Sequence, residues 1–232
     1  MLKVAVVLCG CGRADGSEIH ESVSVLIHLH RCGLPYRCFA PDEPQTEVVN
    51  HVTGQPVAEV RNQMVEAARI ARGDISPLAS LRVEDYAAVV FPGGFGAAKN
   101  LCSFAKDGAD CRVHPDVARI LKGFHAHGKP IALACIAPVL AAKVLGVAGG
   151  GPGCELTLGS GEGVADAVAK MGAVHVPRPV TQAVVDRANK VLSTPAYMCD
   201  AGPYEVFTGI GAMIDALKAM LHAGTPATAG AR

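Results

Sequence analysis

The sequence predicts an α/β fold, a doubly wound and mostly parallel sheet with helices on both faces. Apolar strand-like runs alternate with helical segments along the chain, the pattern of parallel βαβ units. The first run, Lys3–Cys9, shows no polar alternation, so both of its faces are expected to be buried. At 232 residues and 50% hydrophobic content, the chain is long and apolar enough for one large core.

After Lys3–Cys9 comes a polar, Gly-rich loop, Gly10 to Ser17, which lacks the full order of a dinucleotide fingerprint. Ser17 is the expected N-cap of a helix running to about Cys32, with Glu18 and Glu21 in its first turns. Ile19, Val23, Leu26, Ile27 and His30 share one face at helical spacing and are expected to point inward. Gly33 ends the helix. Pro35–Ala40 is the second strand. Val48–Val60 reads as a hairpin turning near Thr53-Gly54, and Arg61–Arg72 as a helix closed by Gly73. The next core strand is expected only at Ala87–Phe91, so residues of about 42–80 form an insertion.

Pro92-Gly93-Gly94-Phe95-Gly96 leaves that strand. Pro115–His127 is helical, with Val117, Ile120, Leu121 and Phe124 inward. Ile131–Ala134 is a buried strand that meets a helix, Ala137–Leu145, through one tight turn at Cys135. Beyond it come short strands at Glu155–Ser160, Val174–Val176, Val184–Asp186 and Val191–Ser193. A short helix spans Ala165–Met171, and a C-terminal one spans Tyr204–Leu221. Residues 1–222 thus form one domain, and 223–232 a frayed tail.

Composition excludes several classes. Lys plus Arg and Asp plus Glu both total 21, and no basic stripe appears, which argues against nucleic acid as a partner. Tryptophan is absent and aromatics are 4%, so base-stacking platforms are not expected. No apolar run of membrane-spanning length is read, so no membrane partner is expected. Nine cysteines at irregular spacing suit a reducing compartment. With no signal segment read at Met1–Leu8, cytoplasm is the expected location. Cys9-Gly10-Cys11 has no second close pair, so no metal and no cofactor are expected.

In a doubly wound sheet, ligands bind outside the carboxyl ends of the strands. Three loops meet there: Gly10–Glu21, Pro92–Lys99 and Cys135–Pro138. A residue on a strand-to-helix turn is pushed out of the sheet toward the next helix's free N–H groups, which favours a thiolate at Cys135. The Ile136 N–H is one natural oxyanion donor, and Gly93 and Gly94 offer a second half. Glu18 and Glu21 are the nearby carboxylates. His20 and His175 are the other acid–base candidates, each read as structural because nothing in the sequence places it at Cys135.

Gly16-Ser17-Glu18-Ile19-His20-Glu21, Val49 to Gly54, Glu66 to Gly73, Pro92 to Leu101, Cys135-Ile136-Ala137-Pro138 and Thr194 to Met198 together resemble the ElbB family of the ThiJ/PfpI class I glutamine-amidotransferase-like superfamily. The resemblance spans Met1 to about Leu221. It implies a flavodoxin-like fold with Cys135 as a nucleophile-elbow cysteine and Glu21, rather than Glu18, as the helix-borne glutamate that hydrogen-bonds it. It further implies a homodimer, an association with isoprenoid biosynthesis, and glyoxalase activity on small dicarbonyls. On that basis Cys135 and Glu21 convert methylglyoxal or glyoxal to lactate or glycolate through a hemithioacetal. The alternative is a redox sensor or regulatory protein that uses the same cysteine. One departure bears on chemistry. Superfamily members commonly carry a histidine about twenty residues past the nucleophile, whereas this chain reads Gly153-Cys154-Glu155-Leu156-Thr157 there. Glutaminase and peptidase activities are therefore not expected.

Overall fold

The computed structural model describes residues 2–159 and 162–223. In chain order the elements are β1 (Lys3–Val7), α1 (Ile19–Arg31), β2 (Tyr36–Ala40), β3 (Val48–Asn50), β4 (Gln55–Val57), α2 (Gln63–Ala71), β5 (Ile75–Pro77), β6 (Tyr86–Phe91), α3 (Phe95–Lys99), α4 (Phe104–Asp107), α5 (Pro115–Ala126), β7 (Ile131–Ala134), α6 (Pro138–Leu145), β8 (Glu155–Leu156), α7 (Glu162–Lys170), β9 (Val174–His175), β10 (Val184–Asp186), β11 (Val191–Thr194) and α8 (Pro203–Ala223).

Seven strands form the central sheet in the order β10-β11-β7-β6-β1-β2-β5. Neighbours pair in parallel except β10, which runs antiparallel to β11. This is the expected flavodoxin-like, doubly wound architecture. The chain winds outward from β1 to β2 and β5, then returns to β6 on the other side of β1. That reversal leaves a crevice at the carboxyl ends of β1 and β6.

Successive strand residues point to opposite faces, so the sheet feeds two cores. Ala5, Val7, Val89, Phe91, Ile131 and Leu133 pack with α5 and α6 on one side. Val4, Val6, Ala88, Val90, Ala132 and Ala134 pack with α1 and α8 on the other. α5 matches its expectation: Pro115 opens the helix, and Val117, Ile120, Leu121 and Phe124 are fully buried. α2 is capped by Asn62, whose Oδ1 accepts from the Met64 and Val65 N–H groups at 2.9 and 3.0 Å.

α1 reverses its expected orientation. Ile19, Val23 and Ile27 are exposed, whereas Glu21, Ser22, Ser24, Val25, His28 and Leu29 are buried. The buried polar groups have partners. His28 Nε2 lies 3.0 Å from the Phe207 carbonyl oxygen, and Ser22 Oγ donates to the Glu18 carbonyl at 2.6 Å. Burial of polar groups is affordable once they are hydrogen-bonded, and ranking side chains by hydrophobicity alone picks the wrong face here. Ser17 does not cap α1 either. Its Oγ accepts from the Cys9 N–H at 2.9 Å, and Glu18 is the N-cap, accepting from the Glu21 N–H at 2.7 Å.

The hairpin β3–β4 turns where expected. The segment read as an insertion also contains β5, an edge strand paired with β2 that the sequence reading omitted. Glu155–Ser160 shortens to β8, which pairs with β9 outside the main sheet, and Ser160 lies outside the described residues. So do residues 224–232, most of the expected tail. α8 corrects the membrane-length reading, because its 21 residues are long and apolar enough to cross a bilayer by length and composition. In this fold Val206, Ile210, Met213, Ile214 and Leu217 are fully buried in the core beside α1.

Candidate active site

β7 ends at Ala134, and α6 begins at Pro138, so three residues must reverse the chain. Cys135 does this with φ +60°, a left-handed conformation that costs a residue with a Cβ about 1–2 kcal/mol. The turn is pinned by Cys135 N–H to the Thr194 carbonyl at 3.0 Å and Ala137 N–H to the Ala134 carbonyl at 3.0 Å. This is the tight strand-to-helix turn expected at Cys135, and strain of this kind concentrates at functional sites.

The two glycine loops close on it. A Cβ on Gly93 would sit 2.4 Å from the Cys135 Cβ and 2.7 Å from Glu21 Oε2, so only glycine fits between cysteine and carboxylate. The Gly93 N–H donates to Glu21 Oε2 at 2.9 Å, and its carbonyl accepts from the Glu18 N–H at 3.0 Å. The Tyr197 N–H donates to Glu21 Oε1 at 3.4 Å. The Glu21 carboxyl and the Cys135 side chain thus face each other across Gly93, and the Glu21 charge and the Gly94 and Ile136 N–H groups act on the thiol. Gly93 is therefore corrected from oxyanion donor to spacer. Its N–H is already committed to Glu21, which leaves Gly94 and Ile136 as the pair of donors.

Burial sets the charges. Glu21 is completely buried, which together with the nearby Glu18 charge pushes its carboxyl up to about 7, against the lowering effect of the thiol and N–H donors. Burial, and then the Glu21 charge, push the Cys135 thiol well above its ordinary value despite the Gly94 and Ile136 donors. The expected exposed, low-pKa thiolate is thus corrected. At 7% exposure, desolvation outweighs the helix N-terminus. Cys11 and Cys199 are more accessible than Cys135. We expect iodoacetamide to label those two faster in the intact protein. Glu21→Gln should shift the midpoint of Cys135 labelling to lower pH, because it removes the neighbouring charge. Peptide mapping across a pH series measures this, and an unmoved midpoint rejects the coupling.

A cavity of about 740 Å³ opens above the sulfur, within the size range of small-molecule sites. Its walls include Arg13, Glu18, His20, Phe95, Ile136, Tyr197 and Asp200. Glu18 lines the cavity while its carboxylate caps α1. His20 also reaches the cavity, with Nδ1 2.7 Å from the Tyr197 hydroxyl. His175 does not line it, and its Nε2 accepts from the Leu158 N–H at 3.2 Å. The sequence reading assigned no role to Tyr197, Arg13 or Asp200. Tyr197 lay inside the quoted Thr194–Met198 motif, the one signal that pointed to it.

No protein-family model matches the chain. Curated relatives do. The human glutamine amidotransferase-like class 1 domain-containing protein 3, mitochondrial, is 50% identical over 222 residues, covering 91% of this chain and 81% of the human protein. A crystal structure of an isoprenoid biosynthesis protein with an amidotransferase-like domain from Ehrlichia chaffeensis is 38% identical. It superposes with a TM-score of 0.88, covering 95% of this chain and all of that one. The chain belongs to the class I glutamine amidotransferase-like family. A ThiJ/PfpI domain protein from Brachyspira murdochii shares the fold at 14% identity and a TM-score of 0.58, covering 96% of this chain and 98% of that one. Relatives from human, rat and zebrafish are named as mitochondrial proteins, a compartment the sequence reading did not weigh.

Proposed function

We propose that this family member is a cofactor-independent glyoxalase that hydrates methylglyoxal or glyoxal internally to lactate or glycolate. The observation that carries the reading is the buried Cys135–Glu21 pair, with a carboxyl held near neutrality at the floor of the cavity. A general acid–base works best with a pKa near the working pH.

The geometry supports the following steps. The Cys135 sulfur attacks the aldehyde carbon as its proton passes to ionised Glu21. The new oxyanion lies toward the Gly94 and Ile136 N–H groups and is then protonated by Glu21, giving a hemithioacetal. Glu21 next removes the proton from that carbon, and the electron pair moves onto the adjacent carbonyl oxygen, which takes the proton of the neighbouring hemithioacetal hydroxyl. Glu21 then returns its proton to the second carbon as the first carbon's oxygen re-forms a carbonyl, leaving a thioester of the 2-hydroxy acid on Cys135. Water hydrolyses the thioester, releasing the acid and the free thiol. The sum is dicarbonyl plus water to hydroxy acid.

Glutamine hydrolysis is the less supported reading. It needs an acid to protonate departing ammonia, a role a histidine fills in triad enzymes. Here a carboxyl, and not an imidazole, is the acid–base group beside the thiol among the described residues. Redox sensing asks for an exposed thiolate, which burial and Glu21 both oppose. The homodimer belongs to this proposal and rests on the family resemblance. The nine free cysteines suit a reducing interior, cytoplasmic or mitochondrial alike.

The test is steady-state lactate production from methylglyoxal without glutathione. The intact chain should turn over, Cys135→Ala should not, and glutamine should yield no ammonia. Absence of lactate near neutral pH, or robust glutamine hydrolysis, rejects the reaction class.

A further inference from the structure

The cavity is far larger than the small dicarbonyls proposed above. At roughly 30 Å³ for a water-sized group, methylglyoxal fills a minor part of about 740 Å³. The remaining volume has apolar walls, including Phe95 and Met198, and unspent charges at its rim. Glu18 is committed to the Glu21 N–H. Arg13 is the only arginine or lysine among the described residues lining the cavity.

Arg13 is held in a particular way. The Phe95 N–H donates to its carbonyl at 2.8 Å, so its backbone is tied to the loop that carries the Gly94 donor. On either side, Gly12 N–H donates to the Ser17 carbonyl at 2.9 Å, and Lys99 Nζ donates to the Ala14 carbonyl at 3.1 Å. Ala14 N–H donates to His51 Nε2 at 3.2 Å, and Asn100 Nδ2 donates to the Asp15 carbonyl at 2.9 Å. The loop is fixed from both sides, yet no hydrogen bond or ion pair of the Arg13 guanidinium is formed among the described residues. An exposed arginine is ordinarily a solvated side chain. This one differs in being anchored at its backbone, unpaired at its head and placed on the wall of the nucleophile's cavity. A planar guanidinium is matched to a bidentate oxyanion, carboxylate or phosphate.

We propose that Arg13 is a specificity-determining residue that receives a carboxylate or phosphate at the far end of an α-oxoaldehyde longer than methylglyoxal, whose aldehyde end reaches Cys135. This rests on the glyoxalase reading and names its substrate class. The reaction balances as before: the aldehyde carbon becomes the new carboxylate, the adjacent carbonyl becomes an alcohol, one water is consumed and one proton is released. The remote anion takes no part beyond docking. Asp200, on the loop after β11, is the opposing charge on the cavity wall, and it would discourage a second anion on the substrate.

Two measurements separate this inference from the reading beneath it. The first compares kcat/KM for 4,5-dioxopentanoate and for 3-phosphooxy-2-oxopropanal with that for methylglyoxal. A charge-assisted pair contributes about 1.5–3 kcal/mol, so the intact enzyme should prefer an anionic substrate by roughly ten- to a hundredfold. The larger gain of the two identifies the anion. Arg13→Ala should bring the ratio close to one, and Arg13→Lys should restore part of it. A ratio that Arg13→Ala leaves unchanged overturns the proposal. The second measurement uses Cys135→Ala, which cannot react, and titrates 4-oxopentanoate against its neutral amide by calorimetry. Binding of the acid but not the amide, lost when Arg13→Ala is added, supports the anion site even if no α-oxoaldehyde is turned over. Equal binding of acid and amide overturns it. Asp200→Asn should strengthen binding of the acid. A loss as large as that of Arg13→Ala would mean a zwitterionic ligand, and would overturn the anionic class.

Discussion

Replacing Glu21 with Gln is expected to lower kcat on methylglyoxal by a hundred- to ten-thousandfold, the usual contribution of a general acid–base, with a far smaller change in KM. An amide keeps the shape and can still accept a hydrogen bond, but it cannot take the thiol proton. The pH profile carries the assignment. In the intact protein, activity should rise with pH as Glu21 ionises through about 7, because the proposed role requires the ionised form to accept the proton. That limb should vanish in Glu21→Gln. Glu18→Gln should retain most of kcat, since an amide oxygen can still cap the Glu21 N–H, while the limb moves to lower pH as the raising charge is removed. A large loss in Glu18→Gln with little in Glu21→Gln would move the catalytic role one turn back along α1.

The same residue has a stability consequence of opposite sign. Its folded pKa, about 7, lies above the ordinary carboxylate value of 4.5. Between these values the native state binds more protons than the unfolded state, so stability falls as pH rises. The ceiling on that loss is about 3 kcal/mol at 1.36 kcal/mol per unit. The hydrogen bonds from Gly93 and Tyr197 that an amide would weaken reduce the net gain on substitution. Glu21→Gln should therefore unfold at higher denaturant concentration than the intact chain at alkaline pH, with the difference shrinking toward acid. Such a trade of activity against stability is typical of active sites.

The order of elements was legible because strand runs and glycine punctuation are local signals. The elbow was legible for the same reason: Ala134-Cys135-Ile136-Ala137-Pro138 joins a buried strand to a helix in one turn, and the sequence states both halves. Four features were not. The buried face of α1 is decided by His28 and Glu21 finding partners on Phe207 and Gly93, residues far along the chain. β5 has three residues and earns its place only through β2. The state of the Cys135 proton depends on how deeply it is buried and how close Glu21 comes, quantities set by packing and absent from a motif. Arg13 and Asp200 reach the site through loops whose paths no periodicity describes.

Gly96→Ala is expected to cost stability and activity together, because the site depends on two backbones in direct contact. A Cβ on Gly96 would lie 2.6 Å from both the carbonyl carbon and the Cα of Gly16. Gly16 cannot retreat, since it lies against Gly10 and Cys11, and a Cβ there would meet the Cys11 nitrogen at 2.5 Å. The Gly96 N–H also donates to the Gly16 carbonyl at 2.9 Å. The loop after β6 must therefore lift away from the loop after β1. Gly94 would carry its donor off the Cys135 sulfur, and Gly93 would release Glu21. Overpacking of this kind typically costs 1–3 kcal/mol; with backbone on both sides the upper end is expected, about 3 kcal/mol. At roughly 2–4 °C per kcal/mol for a chain of this size, the melting temperature should fall by about 6–12 °C. Activity measured well below that temperature should still drop more than tenfold. Gly163→Ala is the matched control. It lies in α7, a Cβ there meets nothing within 4 Å, and its backbone is not left-handed. In the first turn of the helix it should be neutral or stabilise by at most about 1 kcal/mol, and leave kcat unchanged. If Gly96→Ala behaves like Gly163→Ala in both melting and turnover, the two loops are not in contact and the site is not assembled by them.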